Sequence, residues 1–413
     1  MIQVRSAGSA FLFLVALAGK VDCQSARFSP QLSAQATFAA IHVDPVPGGR
    51  SANQFVLEMP VAMLHAAALN NRLVLHAALD LEGWTMPHGV LGLGTWGEGF
   101  NDRRHPHTYV HEAMLAWTQR GRQGRFLPLV ASISIGKGYV AFGSEDPMNR
   151  PALGFPVNHH WSQILERAAA IAGVRAGPLS LEASLFNGDE PEYPGQWPLL
   201  KRFGDSWAGR ATVVITRGFE LEASYAKVRS PEHRPGAATD QHKWHASGRL
   251  DRPIGSGGLK LLAEWARTSE ASGFFVFRSA LGEAAWTRAE HRVYYRFERT
   301  DRPEEERTLD PFRSVRPHLE NSILGTTRWS VHTAGVNTRA ATLGRVVHIE
   351  PILELAYARV SDRQGGLFSA NGFYGRNSLW SGTLAVRVVA GNPMRMGRYG
   401  VAEETSSHGM RMR

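Results

Sequence analysis

From about residue 35 onward, apolar and polar residues alternate along the chain instead of recurring at helical spacing. Trp207, Ala211, Val213 and Ile215 share one parity, with Arg210, Thr212 and Thr216 on the other. Phe219, Leu221, Ala223 and Tyr225 alternate with Glu220, Glu222 and Ser224. Leu259, Leu261, Ala263 and Trp265 alternate with Lys260, Glu264 and Thr268. Val293, Tyr295 and Phe297 alternate with Arg292, Arg296 and Glu298. A period of two predicts strands with one apolar and one polar face.

Two readings share that pattern: a soluble sandwich or barrel with an apolar core, and a barrel with an apolar outside. Segment length and spacing favour the second. The segments run about ten residues or more, longer than the usual soluble strand and long enough to cross a bilayer at a tilt. Tight connections fall at Leu69–Asn71, Gly121–Arg125, Ala176–Pro178, Arg217–Gly218, Pro253–Gly258, Arg288–Glu290 and Ala340–Gly344. Between them lie longer ones at Gly83–Thr108, Ser144–Gln163, Asn187–Asp205, Ser230–Asp240, Thr268–Gly273, Thr300–Asn321 and Ser361–Ser378. With a first strand at Gln35–Val43 and a last at Leu379–Ala390, the rhythm gives about 16 strands (roughly 14–16). The prediction is an all-β fold: a closed antiparallel transmembrane β-barrel with short periplasmic turns and long extracellular loops. Both termini lie on the periplasmic side.

The polar parity then faces the lumen. It places Arg210, Glu220, Glu222, Lys260, Glu264, Arg292, Arg296, Glu298, Glu350 and Glu354 inside. Such charges either set ion selectivity or brace the wall as cross-strand pairs. On this reading an arginine at Leu261 meets lipid and is costly, whereas one at Glu264 meets a wet lumen and is milder.

The N-terminus adds a compartment. Arg5 precedes the short apolar run Ala10–Ala18, and small or polar residues follow at Gly19–Ala26. That is the layout of a secretory signal, too short to span a bilayer as a helix. Residues 1–23 are read as the signal, with cleavage as late as residue 26, and 24–413 as one barrel domain ending in a short C-terminal tail. Lys20 and Asp22 argue against lipid attachment at Cys23, where small or apolar residues would precede the acylated cysteine. Either cut removes the only cysteine, which rules out a disulfide or thiolate chemistry in the mature chain. The predicted location is the outer membrane of a Gram-negative bacterium.

Composition narrows the partners. At 43% hydrophobic and 20% charged residues, the chain is too apolar for intrinsic disorder. Its net charge of +9 is dispersed, with Arg292, Arg296 and Arg299 standing among Glu290, Glu298 and Asp301. Nucleic acid is therefore not an expected partner. Outer-membrane lipid and small solutes or ions are, and the sequence leaves the oligomeric state open.

The candidate chemistry lies in the histidines. His105 and His107 are followed by His111 and Glu112, and His159 and His160 come later. Neutral imidazoles with carboxylates bind zinc or copper. The barrel register sets the two groups at the outer rim with one strand between them, about 10 Å apart. The alternative is that they anchor loops at the rim, with Trp161 in the interfacial aromatic girdle. There is no G-x-S-x-G elbow, P-loop, dinucleotide fingerprint or H-E-x-x-H. The expected function is a porin-like channel or binding barrel, not an enzyme and needing no cofactor. A metal-binding or metal-uptake barrel, and then an outer-membrane hydrolase, are the alternatives.

Several short stretches are distinctive: Asp102–His107 (DRRHPH), Asn158–Trp161 (NHHW), Phe186–Pro191 (FNGDEP), Ser230–Glu232 (SPE) and Arg395–Gly400 (RMGRYG). In these the chain resembles a family of uncharacterised, porin-like outer-membrane proteins of Gram-negative bacteria, over most of its mature length. Thr108 stands where family members often carry an acidic residue. The resemblance implies an outer-membrane barrel and brings no established substrate or activity.

Overall fold

The structure is a computed structural model. It describes residues 28–403 apart from 87–88, 95–106, 122–128, 145, 192, 230–239, 306–322, 345, 365 and 393–395. The signal and His105 therefore lie outside the described residues.

The alternating segments form the strands β1 (Phe28–Val46), β2 (Arg50–Ala68), β3 (Leu73–Asp80), β4 (Val110–Arg120), β5 (Leu129–Gly138) and β6 (Arg167–Ala176). They continue as β7 (Leu179–Phe186), β8 (Ser206–Thr216), β9 (Phe219–Val228), β10 (Gln241–Ile254), β11 (Gly257–Glu270) and β12 (Phe275–Arg288). The wall ends with β13 (His291–Glu305), β14 (Ile323–Thr338), β15 (Ala341–Leu343), β16 (Val347–Gln364) and β17 (Ser378–Ala390). Each pairs with its neighbour antiparallel, and β1 pairs with both β2 and β17, which closes the ring. The three-residue β15 continues the edge of β14 along β16. Sixteen strands long enough to build the wall remain, which is the fold predicted.

Its faces are inside out relative to a soluble protein. On β5, Ile133 and Ile135 are 56% and 59% exposed, while Ser132, Ser134 and Lys137 are buried. On β7, Leu179, Leu181 and Leu185 face out, and Ser180, Glu182 and Ser184 are buried. A soluble barrel would reverse these two lists. Aromatic side chains join the outer face at Trp207, Trp265, Trp286, Tyr295, Tyr357 and Trp380.

The interior is filled rather than open. Residues 139–166, between β5 and β6, fold into the barrel and cross it. The segment narrows at Gly143, which bridges to Gln163. Gly143 has φ +73°, and a Cβ there would overlap the Ser162 carbonyl oxygen, so the turn requires glycine. Arg150 then pairs with Glu264 on β11 at 2.8 Å. The Leu153 and Gly154 amides donate to Glu354 on β16 at 2.7 and 3.0 Å. Trp161 donates to the Asp301 carbonyl on β13 at 3.0 Å, on the far side of the ring from β5.

These contacts correct two expectations. Trp161 is buried and stacks on Phe277, so it belongs to the interior and not to an interfacial girdle. Glu264 contacts Arg150, Ser144 and His245, so the wall there faces packed protein and not a wet lumen.

The chain after β17 also returns inward. Met396, Tyr399, Val401 and Ala402 are buried. The Tyr139 amide donates to the Tyr399 hydroxyl, the Val401 amide to Ser132, and Arg398 pairs with Glu220 and Glu222. Within what the strand rhythm leaves as a tail, residues 396–403 form a second internal element, at the end of the barrel that carries the tight turns.

Candidate functional site

The interior collects histidines and carboxylates in two clusters. The first gathers where β3 and β4 meet the longer connections. A short helix α1 (Glu82–Thr85) follows β3, and the Glu82 amide donates to Asp80 at 2.8 Å. His107 enters beside them, its Nδ1 2.9 Å from Glu82 and 3.5 Å from Asp80. His111, four residues later on β4, sits 2.6 Å from Glu166 through Nδ1 and 3.0 Å from the Tyr139 hydroxyl through Nε2. Donor atoms of Asp80, His107 and His111 lie within 4.8 Å of one another, near enough to share an ion.

This cluster is sealed. Asp80 is 0% exposed, and His107, His111, Glu82 and Glu166 are buried with it. Burial opposes ionisation of Glu166, but the His111 hydrogen bond and the charges of His111 and Lys137 override it and hold its carboxyl below the ordinary range. The Thr108 amide donates to both Glu166 oxygens, at 2.9 and 3.2 Å, and Lys137 donates to the Thr108 hydroxyl. Both ring nitrogens of His111 are thus already spoken for.

The other predicted histidines do not join. His159 and His160 open a single-turn helix α2 (His159–Ser162) within the inward segment. His159 Nδ1 donates to the Pro156 carbonyl at 2.7 Å. Phe155 stands between the rings of His107 and His159, 6.1 and 5.8 Å from them, and blocks a shared centre. The pair therefore sits inside the barrel and not at its rim. Glu112 is buried beside His76, Tyr399 and His111, between the two clusters.

The second cluster, His65, His76 and Glu403, lies on β2, β3 and the returning C-terminal segment. His65 Nε2 is 3.1 Å and His76 Nε2 3.3 Å from separate oxygens of Glu403. Burial pushes the Glu403 carboxyl up, but hydrogen bonds from both histidines outweigh it and hold it at about 2. The sequence does carry a signal for half of this cluster. The tight turn at residues 69–71 makes His65 and His76 partners directly across the hairpin.

Of the predicted lumen residues, Arg210, Glu220, Glu222, Glu264, Arg296, Glu298 and Glu354 are buried on the inner face. Arg210 forks onto Glu182 at 2.7 and 3.0 Å, a cross-strand brace. Lys260, Arg292 and Glu350 instead line a cavity of about 620 Å³ toward the turn end. Its charged lining comprises Arg150, Arg249, Lys260, Arg292, Arg339 and Arg387 against Asp251, Glu283 and Glu350.

No family model and no curated protein matches the chain. Among solved structures it is similar to an anion-selective porin from Comamonas acidovorans, at 10% identity and a TM-score of 0.49, covering 88% of this chain and 99% of that one. It is also similar to the outer membrane protein OmpT of Vibrio cholerae, at 10% identity and a TM-score of 0.47, covering 89% and 99%. For Salmonella typhi OmpF in complex with daunomycin the values are 10% and 0.48, covering 87% and 97%. Overlap this loose adds nothing to the closed strand order, on which the fold assignment rests.

Proposed function

We propose that this chain is a porin-like channel of the outer membrane of a Gram-negative bacterium, passing small solutes or ions. Residues 1–23 act as its export signal and the remainder as one barrel. The observation that carries this reading is the closed sixteen-strand wall with apolar side chains outside and charged ones inside. A closed sheet leaves no unpaired edge in lipid, so such a wall can span a bilayer, and its polar interior suits water-borne solutes. The inward segment and the C-terminal segment narrow the passage, so unit conductance is small. At the cavity near the turns, named basic side chains outnumber acidic ones six to three, which favours anions.

Purified protein in planar bilayers tests this. Stepwise conductance with a reversal potential shifted toward that of the anion in a salt gradient is expected. A silent bilayer, or a protein that fractionates into the soluble periplasm, overturns the reading.

A second reading has its own observation, the approach of Asp80, His107 and His111. It would make the sealed cluster a zinc or copper site, held by two of the predicted histidines with a carboxylate the sequence did not single out. Calorimetry with zinc on the folded barrel and on His107→Ala decides it.

A further inference from the structure

His65 and His76 face each other directly across the β2–β3 hairpin, on the inner side of the wall. Their ring centroids are 5.0 Å apart and the rings meet edge to face. A cross-strand pair so close to a tight turn is held by the ladder on both sides, so the two imidazoles are positioned before any ligand arrives. Glu403 then reaches both of them from the C-terminal segment, one carboxylate oxygen to each Nε2.

The spacing is that of a ligand set. A tetrahedral ion with nitrogen and oxygen ligands at about 2.0–2.2 Å has ligand-to-ligand edges of about 3.3–3.6 Å. Here the two Nε2 atoms lie 3.1 and 3.3 Å from different oxygens of Glu403, and one ligand atom from each residue falls within 4.8 Å of the others, so a small closure onto an ion reaches those edges. Unlike the sealed cluster, this one is reachable, with His65 24% and Glu403 31% exposed. Two imidazoles with one carboxylate select a borderline transition ion over calcium or magnesium, which prefer oxygen-only shells.

We propose that His65, His76 and Glu403 bind a divalent ion of the zinc class, which fastens the C-terminal segment to the barrel wall. Ligation joins a flexible carboxylate to a rigid hairpin. Ion binding therefore holds in place the element that also carries Arg398 and Tyr399 across the turn end of the lumen. The site stands on its own geometry and is independent of whether the barrel conducts.

The test uses the full-length folded protein in detergent, with folding of each variant verified by heat-modifiable mobility. Zinc titrated by calorimetry should show a binding component that weakens at least tenfold in His65→Ala and in Glu403→Gln. The exposed control His291→Ala should match the natural chain. Copper(II) loaded into the same site should give a paramagnetic resonance spectrum with two imidazole nitrogens, falling to one in His65→Ala. Zinc should also slow carboxypeptidase digestion past Glu403 in the natural chain and not in His65→Ala. If His65→Ala disturbs the wall, Glu403→Gln decides, because it alters only the returning segment. No zinc binding by the folded natural chain, or binding unchanged in both variants, overturns the proposal. Unchanged digestion with zinc bound would overturn the fastening.

Discussion

The two histidine clusters share their chemistry and differ in how they are built. In the sealed one, Asp80, His107 and His111 are drawn together by strand ends, a short helix and Glu166, and almost no surface reaches solvent. In the open one, two histidines stand on a preformed hairpin and a single carboxylate comes to meet them. Hydrogen bonds within the first cluster engage both nitrogens of His111 and stitch the inward segment to β4. In the second, one carboxylate meets the Nε2 atoms of both histidines. Imidazole–carboxylate contact alone therefore does not distinguish an anchor from a ligand site; the solvent path does.

The largest expected effect comes from breaking the sealed cluster. His111→Ala leaves Glu166 buried with the Thr108 amide and the charges of Lys137 and His107 for support. Removing one member of a buried pair costs about 3–5 kcal/mol. The midpoint of urea unfolding in detergent should fall accordingly, and a shift under about 1 kcal/mol would contradict the anchoring role. Glu264→Arg extends the same logic across the lumen. It sets a new cation against Arg150 and His245, and it should destabilise as strongly as His111→Ala. Next comes the outer face, where Leu261→Arg puts a charge into lipid for about 2–4 kcal/mol near the midplane. Were Glu264→Arg clearly milder than Leu261→Arg, the interior would be wetter than the packing described.

These contrasts also show what was legible beforehand. The wall was legible because lipid demands an apolar side chain at every second position, and β5, β7, β9 and β11 show that directly. The start of β1 was not. Its Ser, Gln and Ala residues offer little contrast, and the register shift opposite Gln35–Thr37 comes from an extra residue between Glu58 and Val61, which moves the parity of β2. The paths of residues 139–166 and 396–403 carry no period at all, so their return into the lumen left no trace in spacing. That return is what moved His159, His160 and Trp161 from the expected rim to the inside and turned Glu264 from a wet position into a packed one. The His65–His76 pairing followed from one turn. Its third partner, Glu403, came from the opposite end of the chain, beyond any local pattern.

The smallest stability effect should come from the open cluster. Each histidine there meets Glu403 at more than 3 Å, and the carboxylate is 31% exposed, so water can replace either partner when the other is removed. His65→Ala should cost about 1 kcal/mol or less without metal, measured by the same urea titration as His111→Ala. The hairpin keeps its ladder from Ala62 to Ala68, and the returning segment keeps its contacts through Arg398, Tyr399 and Val401. A loss equal to that of His111→Ala would mean that the open cluster is a structural anchor too, erasing the difference between the two regions. A small loss in zinc-free buffer that grows when saturating zinc stabilises only the natural chain would separate them further, because a ligand bound only by the folded state adds stability in proportion to the logarithm of its concentration.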